Sequence, residues 1–303
     1  MKLPKVSQVI RVAGDRVTLE LTEGPLELPI IPLADELLEW IQEGRRDLYD
    51  GLLDAGESGV RFFAQHLPAV VTYNQDGVFP FNCGNKGVGF VPAFEHLEEV
   101  IARYRSTHET TQGTPWEETL RRRVRTVKAF NLDTDLIDRR CFITLEIFRK
   151  GTYRNLRRMP LASLLYTGDS PRFLSYQVNC AVEIIGSDDP RHTFATLART
   201  MFEFEDFHIT QHRFPYAYVF WISECISKTP FRTVNNEELI QSAAPAELEL
   251  PWDEDTLAAV GRAPAMIQNR IRALIEVFAQ QRGFVRVTSG VVEEAKKNLM
   301  DGR

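Results

Sequence analysis

Apolar and polar residues alternate through the first thirty positions, which predicts β structure. Val9-Ile10-Arg11-Val12, a turn at Ala13-Gly14-Asp15 and Val17-Thr18-Leu19-Glu20-Leu21 read as a hairpin, and a second turn at Glu23-Gly24-Pro25 leads into a strand over 26–31. The period then changes. Leu33, Leu37, Leu38 and Ile41 recur at helical spacing with Gly44 as the stop, and Leu48, Leu52 and Leu53 predict a second short helix ending near Gly56. Residues 60–66 predict a further turn or two of helix, and 69–73 a short strand. A glycine-rich loop follows, Cys83-Gly84-Asn85-Lys86-Gly87-Val88-Gly89, set between aromatic residues. Leu97, Val100, Ile101 and Tyr104 share one face of a helix over 95–105. Thr114-Pro115-Trp116-Glu117 reads as the start of the next helix, with Thr as the N-cap and Trp116, Leu120, Val124 and Val127 on the apolar side.

The second half is richer in strands. Residues 141–148 predict a strand covered on both faces, 161–166 a short helix or turn, and 173–185 a long strand. In that long strand Gln177, Asn179 and Glu183 take one face, and Val178, Cys180, Val182 and Ile184 the other. Asp189-Pro190 caps a helix that turns Phe194, Leu197, Ala198 and Met201 inward. Two further strands are expected over 207–212 and 216–225. The order of elements predicts an α+β body of one sheet layered with helices. We divide the chain into an N-terminal α+β subdomain at 1–135, an antiparallel sheet with helix at 136–230, a polar linker at 231–250 and a helical module at 251–303.

Composition narrows the function classes. The chain has 303 residues, with 36 Lys and Arg against 42 Asp and Glu, for a net charge of −6. A general affinity for polyanions does not fit that balance, and no nucleic-acid-binding motif is present. The four cysteines Cys83, Cys141, Cys180 and Cys225 include no C-x-x-C pair, which excludes zinc-ribbon and ferredoxin-type patterns. The N-terminus lacks the apolar core of a signal peptide, and no apolar run approaches the ~18 residues of a membrane span. The expectation is a reduced, cytoplasmic protein with no membrane span.

Residues 251–300 predict three short helices. Asp253 starts the first, Pro264 the second, Gly283 ends the second, and Thr288 caps the third. This string resembles the small C-terminal domain of the B subunit of the light-independent protochlorophyllide reductase, the PCP reductase-like domain. Trp252, Pro264, Arg272, Glu276, Ala279, Gly283, Thr288, Val292, Ala295 and Lys296 carry the resemblance. After the Pro this chain has Ala265-Met266-Ile267-Gln268 where the family has two bulky aromatics and Val-Arg. The resemblance does not extend to residues 1–230. It implies tetrapyrrole handling or docking beside a redox complex, with a protein partner or a second copy of the chain meeting the C-terminal helices.

Several constellations carry candidate chemistry, each beside a plainer reading. Cys141, Cys180 and Cys225 lie on predicted strands of one sheet and are candidates for an iron–sulfur cluster or zinc, or are simply small buried residues. His208 and His212, four apart, can ligate a metal or a tetrapyrrole iron, or belong to a polar face. The glycine-rich loop at 83–89 lacks the Lys-Ser/Thr step of a phosphate-binding loop. The run Arg121-Arg122-Arg123, with Arg125 and Lys128, forms one basic stripe, and Arg149, Lys150, Arg154, Arg157 and Arg158 form a second. These are solvated faces or anchors for the carboxylates of a partner or a tetrapyrrole. Tyr218 and Trp221, in an aromatic-rich stretch, line a flat apolar pocket or pack the core. No Ser-His-Asp, His-Glu-x-x-His or paired-carboxylate motif stands out. The leading expectation is therefore an accessory or binding protein of tetrapyrrole or nitrogenase-like redox-complex biology. A metal- or iron–sulfur-dependent oxidoreductase and a structural or assembly protein are the alternatives.

Overall fold

The computed structural model describes residues 9–21, 24–56, 64–75, 77–168, 174–202, 214–229, 250–261 and 265–301. It divides into two compact units, Met1–Thr229 and Pro230–Arg303. The α+β class expected from the sequence is what the structure has.

The first unit opens with an antiparallel three-stranded sheet, β1 (Val9–Ala13), β2 (Arg16–Leu21) and β3 (Gly24–Pro29). Val17 and Leu19 are fully buried on its covered face. Next comes α1 (Asp35–Ala55), one helix where two were expected. Gly44 does not stop it. The Gln65 side chain packs over the glycine, so that a Cβ there would stand 2.5 Å from it and the Gln65 end would have to swing aside.

The main sheet has seven strands: β4 (Ala69–Tyr73), β5 (Phe81–Asn85), β6 (Gly89–Pro92), β7 (Ile137–Glu146), β8 (Leu161–Thr167), β9 (Ser175–Ile185) and β10 (Tyr216–Ser227). Their spatial order is β5-β4-β8-β9-β10-β7-β6, and every neighbouring pair is antiparallel. Three differences from the sequence reading follow from this sheet. The glycine-rich loop contributes two edge strands. Residues 161–166 are a strand, since Ala162, Leu164 and Tyr166 are buried while Leu161, Ser163 and Leu165 face outward. The boundary placed near 135 falls inside one body, because β4 to β6 and β7 to β10 share the same sheet.

Order and connectivity together force curvature. β5 and β6 are the two edges, yet only Lys86, Gly87 and Val88 join them. A flat sheet sets its outer strands six spacings apart, about 29 Å at ~4.8 Å each. The four steps from Asn85 to Gly89 reach about 14 Å at full extension. The sheet therefore rolls until its edges approach.

The face turned inward carries Val70, Leu164, Tyr176, Val178, Val182 and Phe220, all at most 2% exposed. Helix α1 closes on this face, with Trp40 edge-on to Tyr166 at 6.4 Å and Glu36 accepting the hydroxyl of Tyr176. The helices α2 (Leu97–Thr111), which follows a 3-10 turn at Phe94–His96, α3 (Trp116–Asn131) and α5 (Pro190–Thr200) meet in a cluster of Tyr104, Phe130 and Phe194 with rings 5.2–6.3 Å apart. Asp189 caps α5 through the Arg191 N–H at 2.8 Å, as its sequence predicts. Thr114 does not cap α3, which starts after Pro115 with no side-chain cap. A short helix that the pattern does not announce, α4 (Gly151–Leu156), lies against β4 and β5.

The second unit contains α6 (Glu254–Val260), α7 (Ala265–Gln281) and α8 (Ser289–Asp301). Its own core gathers Val260, Ile275, Ala279, Val287, Val291 and Ala295, with Trp252 and Phe284 packed against them. Thr288 caps α8 by accepting the Val291 N–H at 3.4 Å. Gly283, at φ +74°, turns the chain out of α7 while the Phe284 N–H reaches the Ala279 carbonyl at 2.9 Å. Most of the linker, Pro264 and the strand expected over 207–212 lie outside the described residues.

The rolled sheet yields a stability prediction. Phe142, 1% exposed, packs against Phe90 and Tyr166 at 6.0 Å from each. Phe142→Ala should cost about 3–5 kcal/mol, because the enclosed interior cannot collapse onto the missing ring. Urea-unfolding midpoints read this directly, and a loss under about 1 kcal/mol would mean that the interior is not closed.

Candidate functional site

The most elaborate polar cluster sits where the sheet closes. Each residue of the link between β5 and β6 is held. Lys86 Nζ pairs with Glu146 Oε2 at 3.1 Å. The Gly87 carbonyl accepts the Thr144 hydroxyl at 2.6 Å. The Val88 carbonyl accepts Arg45 Nη2 and His66 Nδ1, each at 3.2 Å, and the Val88 N–H donates to the His66 carbonyl at 2.9 Å. Gly87 is required there, since a Cβ would come within 2.9 Å of His66 Nε2. Burial and the Arg45 charge push the His66 imidazole down to about 4, so it is neutral near pH 7 and donates from Nδ1.

Glu146 is the hub. It ends β7, is 2% exposed, and accepts the Tyr218 hydroxyl at 2.6 Å as well as Lys86. Its other oxygen accepts the backbone N–H of Phe148 at 2.9 Å and that of Arg149. Burial raises its pKa, but the Tyr218 hydrogen bond, the Lys86 charge and the Arg149 N–H outweigh burial and hold it below the usual carboxylate value. Burial and the Glu146 hydrogen bond push the Tyr218 phenol upward. A carboxylate with four donors and a phenol locked as a donor hold charge in place. They are poorly arranged to shuttle protons.

The same carboxylate shapes the turn that follows. Arg149 has φ +48°, a left-handed conformation that a non-glycine residue adopts at a cost. The turn delivers Phe148, Arg149 and Lys150 to the surface, with Phe148 54% exposed and Lys150 Nζ 5.3 Å from its ring. The β4–β5 hairpin ends beside it. Asn82 Nδ2 donates to the Thr152 hydroxyl at 3.2 Å, and a Cβ on Gly151 would stand 2.7 Å from Asn82 Oδ1. Asn155 Nδ2 bonds Thr72 Oγ1 at 3.1 Å. On the hairpin, Val78, Phe79 and Phe81 are exposed to 96%, 79% and 66%. These two joined segments form a rim, with exposed Val78, Phe79 and Phe81 on the hairpin and exposed Phe148, Arg149, Lys150, Arg154 and Arg158 on the turn after β7 and on and just past α4.

The residues singled out from sequence distribute differently. Tyr218 and Trp221 lie on opposite faces of β10. Tyr218 is fully buried inside the rolled sheet, and Trp221, on the opposite face, gives its Nε1–H to Glu183 at 3.0 Å beneath Arg191. Arg121, Arg122 and Arg125 are exposed on α3, whereas Arg123 between them is buried and donates to the Thr200 and Thr111 carbonyls. Arg157 stands 5.7 Å from the Tyr153 ring, which stacks on Tyr216.

Cys141, Cys180 and Cys225 do not form a ligand set. Cys141 pairs with Trp221, which pairs with Ala181, so Cys141 shares a face with Ala181. Cys180 is the next residue to Ala181 and faces the other way, together with Cys225 opposite Val178. Burial pushes both the Cys141 and Cys180 thiols up. Among the described residues no group of three or more His, Cys, Asp or Glu could hold a metal, and His208 and His212 lie outside those residues. An iron–sulfur cluster does not fit the three thiols. In the module, Glu276 accepts the Leu250 N–H at 2.6 Å, Trp252 bridges to Val287, and Arg272 is half-buried. Among the described residues no helix is long and apolar enough to cross a membrane.

The closing cluster escaped the sequence reading. Lys86, Glu146 and Tyr218 are 60 and 72 positions apart, and no spacing rule connects them. The one local hint is a charged residue at an inward position of β7, in register with Tyr216.

No family model matches the sequence, and no curated protein matches it. Solved structures with a weak likeness to part of this chain include two. One is HupZ from Group A Streptococcus, at 12% identity and TM-score 0.31, covering 61% of this chain and 93% of that one. The other is a putative pyridoxamine 5'-phosphate oxidase from Listeria innocua, at 8% identity and TM-score 0.31, covering 54% of this chain and 88% of that one. At such scores neither assigns an activity here.

Two measurements test this geometry. Because the Glu146 pKa is depressed in the folded state, its stabilisation is complete above the unfolded value near 4.5 and is lost as pH falls through the folded value. The stability gap between the parent and Glu146→Gln should therefore be widest near neutrality and shrink on acidification below about 4.5; a gap that does not vary with pH contradicts the assignment. Thiol labelling of the native protein should modify exposed Cys83 fast and leave Cys141 and Cys180 protected until unfolding. Rapid labelling of Cys141 or Cys180 would overturn their placement.

Proposed function

We propose that this chain is an accessory protein of tetrapyrrole or nitrogenase-like redox-complex biology, one that binds and docks without catalytic chemistry of its own. The C-terminal unit supports this reading most. It gathers its own core, and residues behind the family resemblance serve its fold: Glu276 ties down the Leu250 backbone, Gly283 makes the left-handed turn and Thr288 caps α8. A small module maintained this way offers the rest of its surface to a protein partner. The body contributes anchors of the right chemistry. Arg121 and Arg125 stand one turn apart on the exposed side of α3, with Arg122 beside them, and none has an ion pair among the described residues. That spacing, about 5–6 Å between Cβ atoms, suits two carboxylates on one edge of a macrocycle. An oxidoreductase built on the sheet cysteines is less favoured, since Cys141 faces away from Cys180 and Cys225.

Absorbance titration of the full chain with protoporphyrin IX tests the ligand class. The expected result is a saturable red shift of the porphyrin band, with affinity lowered at least about tenfold in the Arg121→Ala/Arg122→Ala/Arg125→Ala variant through loss of charge-assisted bonds. An unshifted band, or one equally shifted by the variant, would leave the assembly role in front.

A further inference from the structure

We infer that the rim formed by the β4–β5 hairpin and the turn after β7 is a docking surface for an anionic lipid bilayer. The inference goes beyond the accessory role above and rests on different residues.

Three observations carry it. The first is exposure. Val78, Phe79 and Phe81 project from a hairpin tip at 96%, 79% and 66% exposure, with Phe148 at 54% on the neighbouring turn. Large apolar side chains set together at protruding tips mark a surface meant to be covered. The second is rigidity. The two segments are fastened by the Asn82–Thr152 and Asn155–Thr72 bonds, so the hairpin and the turn hold fixed places relative to one another before any contact. The third is charge. Residues 147–168 contain Arg149, Lys150, Arg154, Arg157 and Arg158 and no acidic residue, in a chain whose net charge is −6. The local sign opposes the global one, as expected when a patch must find an anionic surface while the rest of the molecule is kept away from it.

The arrangement suits an interface better than a protein groove or a free small anion. Tip aromatics enter the boundary between headgroups and acyl chains, while the basic residues around them stay in the headgroup layer beside lipid phosphates and carboxylates. A small anion would meet the arginines and lysine without covering the phenyl rings. Attachment through a few tip aromatics and basic side chains is peripheral and reversible.

Vesicle co-sedimentation of the full chain tests the inference, with vesicles of pure phosphatidylcholine and of phosphatidylcholine with 30% phosphatidylserine (about the anionic content of an acidic leaflet). The unmodified chain should bind the anionic vesicles and leave the neutral ones. Its binding should weaken at high salt but persist in part, because the apolar contribution is not screened. Phe79→Ser/Phe81→Ser should lower partitioning at least about tenfold, and Lys150→Glu/Arg154→Glu should do the same. All four side chains lie at the surface or rim, so unchanged unfolding midpoints confirm that the variants fold. Failure to bind anionic vesicles overturns the inference. So does binding that ignores the two Phe substitutions and is competed away by inorganic phosphate or polyglutamate, which would make the rim a general anion or protein site. The composition and salt comparisons use the unmodified chain and do not depend on the variants. Porphyrin is absent throughout, so this outcome is independent of the tetrapyrrole reading.

Discussion

A three-residue link between strands at opposite edges of the sheet governs this structure. Lys86, Gly87 and Val88 cannot reach across a flat sheet of seven strands, so the sheet rolls, and every later feature depends on that curvature. Rolling creates an enclosed interior that large residues must fill, which explains why Tyr166, Tyr176, Tyr218, Phe142 and Phe220 are all buried there. It also brings two strand edges together without a continuous ladder between them. The open seam needs partners for its backbone groups and a reason not to spread. Thr144, His66 and Arg45 supply the partners, and the Lys86–Glu146 pair spans the seam.

A buried ion pair is weak evidence of net stabilisation, because desolvating two charges opposes their attraction. Glu146 escapes that objection through its four donors: a phenol, an ammonium and two backbone N–H groups. Such saturation keeps the carboxylate ionised despite burial. It also tells against an acid–base role, since a catalytic carboxyl needs a free lone pair and a pKa near working pH. The best-built polar site among the described residues is therefore architectural.

Local patterns carried much of the fold. The alternation in β9, the strand at β10, the Asp189-Pro190 cap and the third helix of the C-terminal unit are all where local pattern and capping place them, because each depends on neighbours within a few residues. Readings that needed tertiary context failed. Gly44 reads as a helix stop but is a packing position against Gln65. The loop at 83–89 reads as glycine-rich coil, yet its flanks become edge strands because β4 and β7 offer them partners. Tyr218 and Trp221 share one aromatic-rich stretch but lie on opposite faces of β10, which sequence cannot assign when both faces are apolar. The three sheet cysteines fail for a related reason: co-residence in one sheet says nothing about side, and the one-residue step from Ala181 to Cys180 separates them. The rim was half legible, with the basic run evident and its companion aromatics hidden seventy residues upstream.

Glu146 also joins the seam to the surface. A left-handed Arg149 is unfavourable by about 1–2 kcal/mol for an L-residue, and the chain holds it because the Glu146 carboxylate captures two consecutive N–H groups of the turn. The geometry that closes the sheet is thus the geometry that turns Phe148, Arg149 and Lys150 outward. Asn82, one residue past exposed Phe81, fastens the neighbouring hairpin to Thr152 in α4, which follows directly on that turn. An exposed aromatic held by a buried, charged hub behaves differently from one on a loose loop. Its backbone is held in place by that carboxylate through the N–H groups of Phe148 and Arg149 before any contact is made. Closure of the sheet and display of the rim are in that sense two consequences of one interaction.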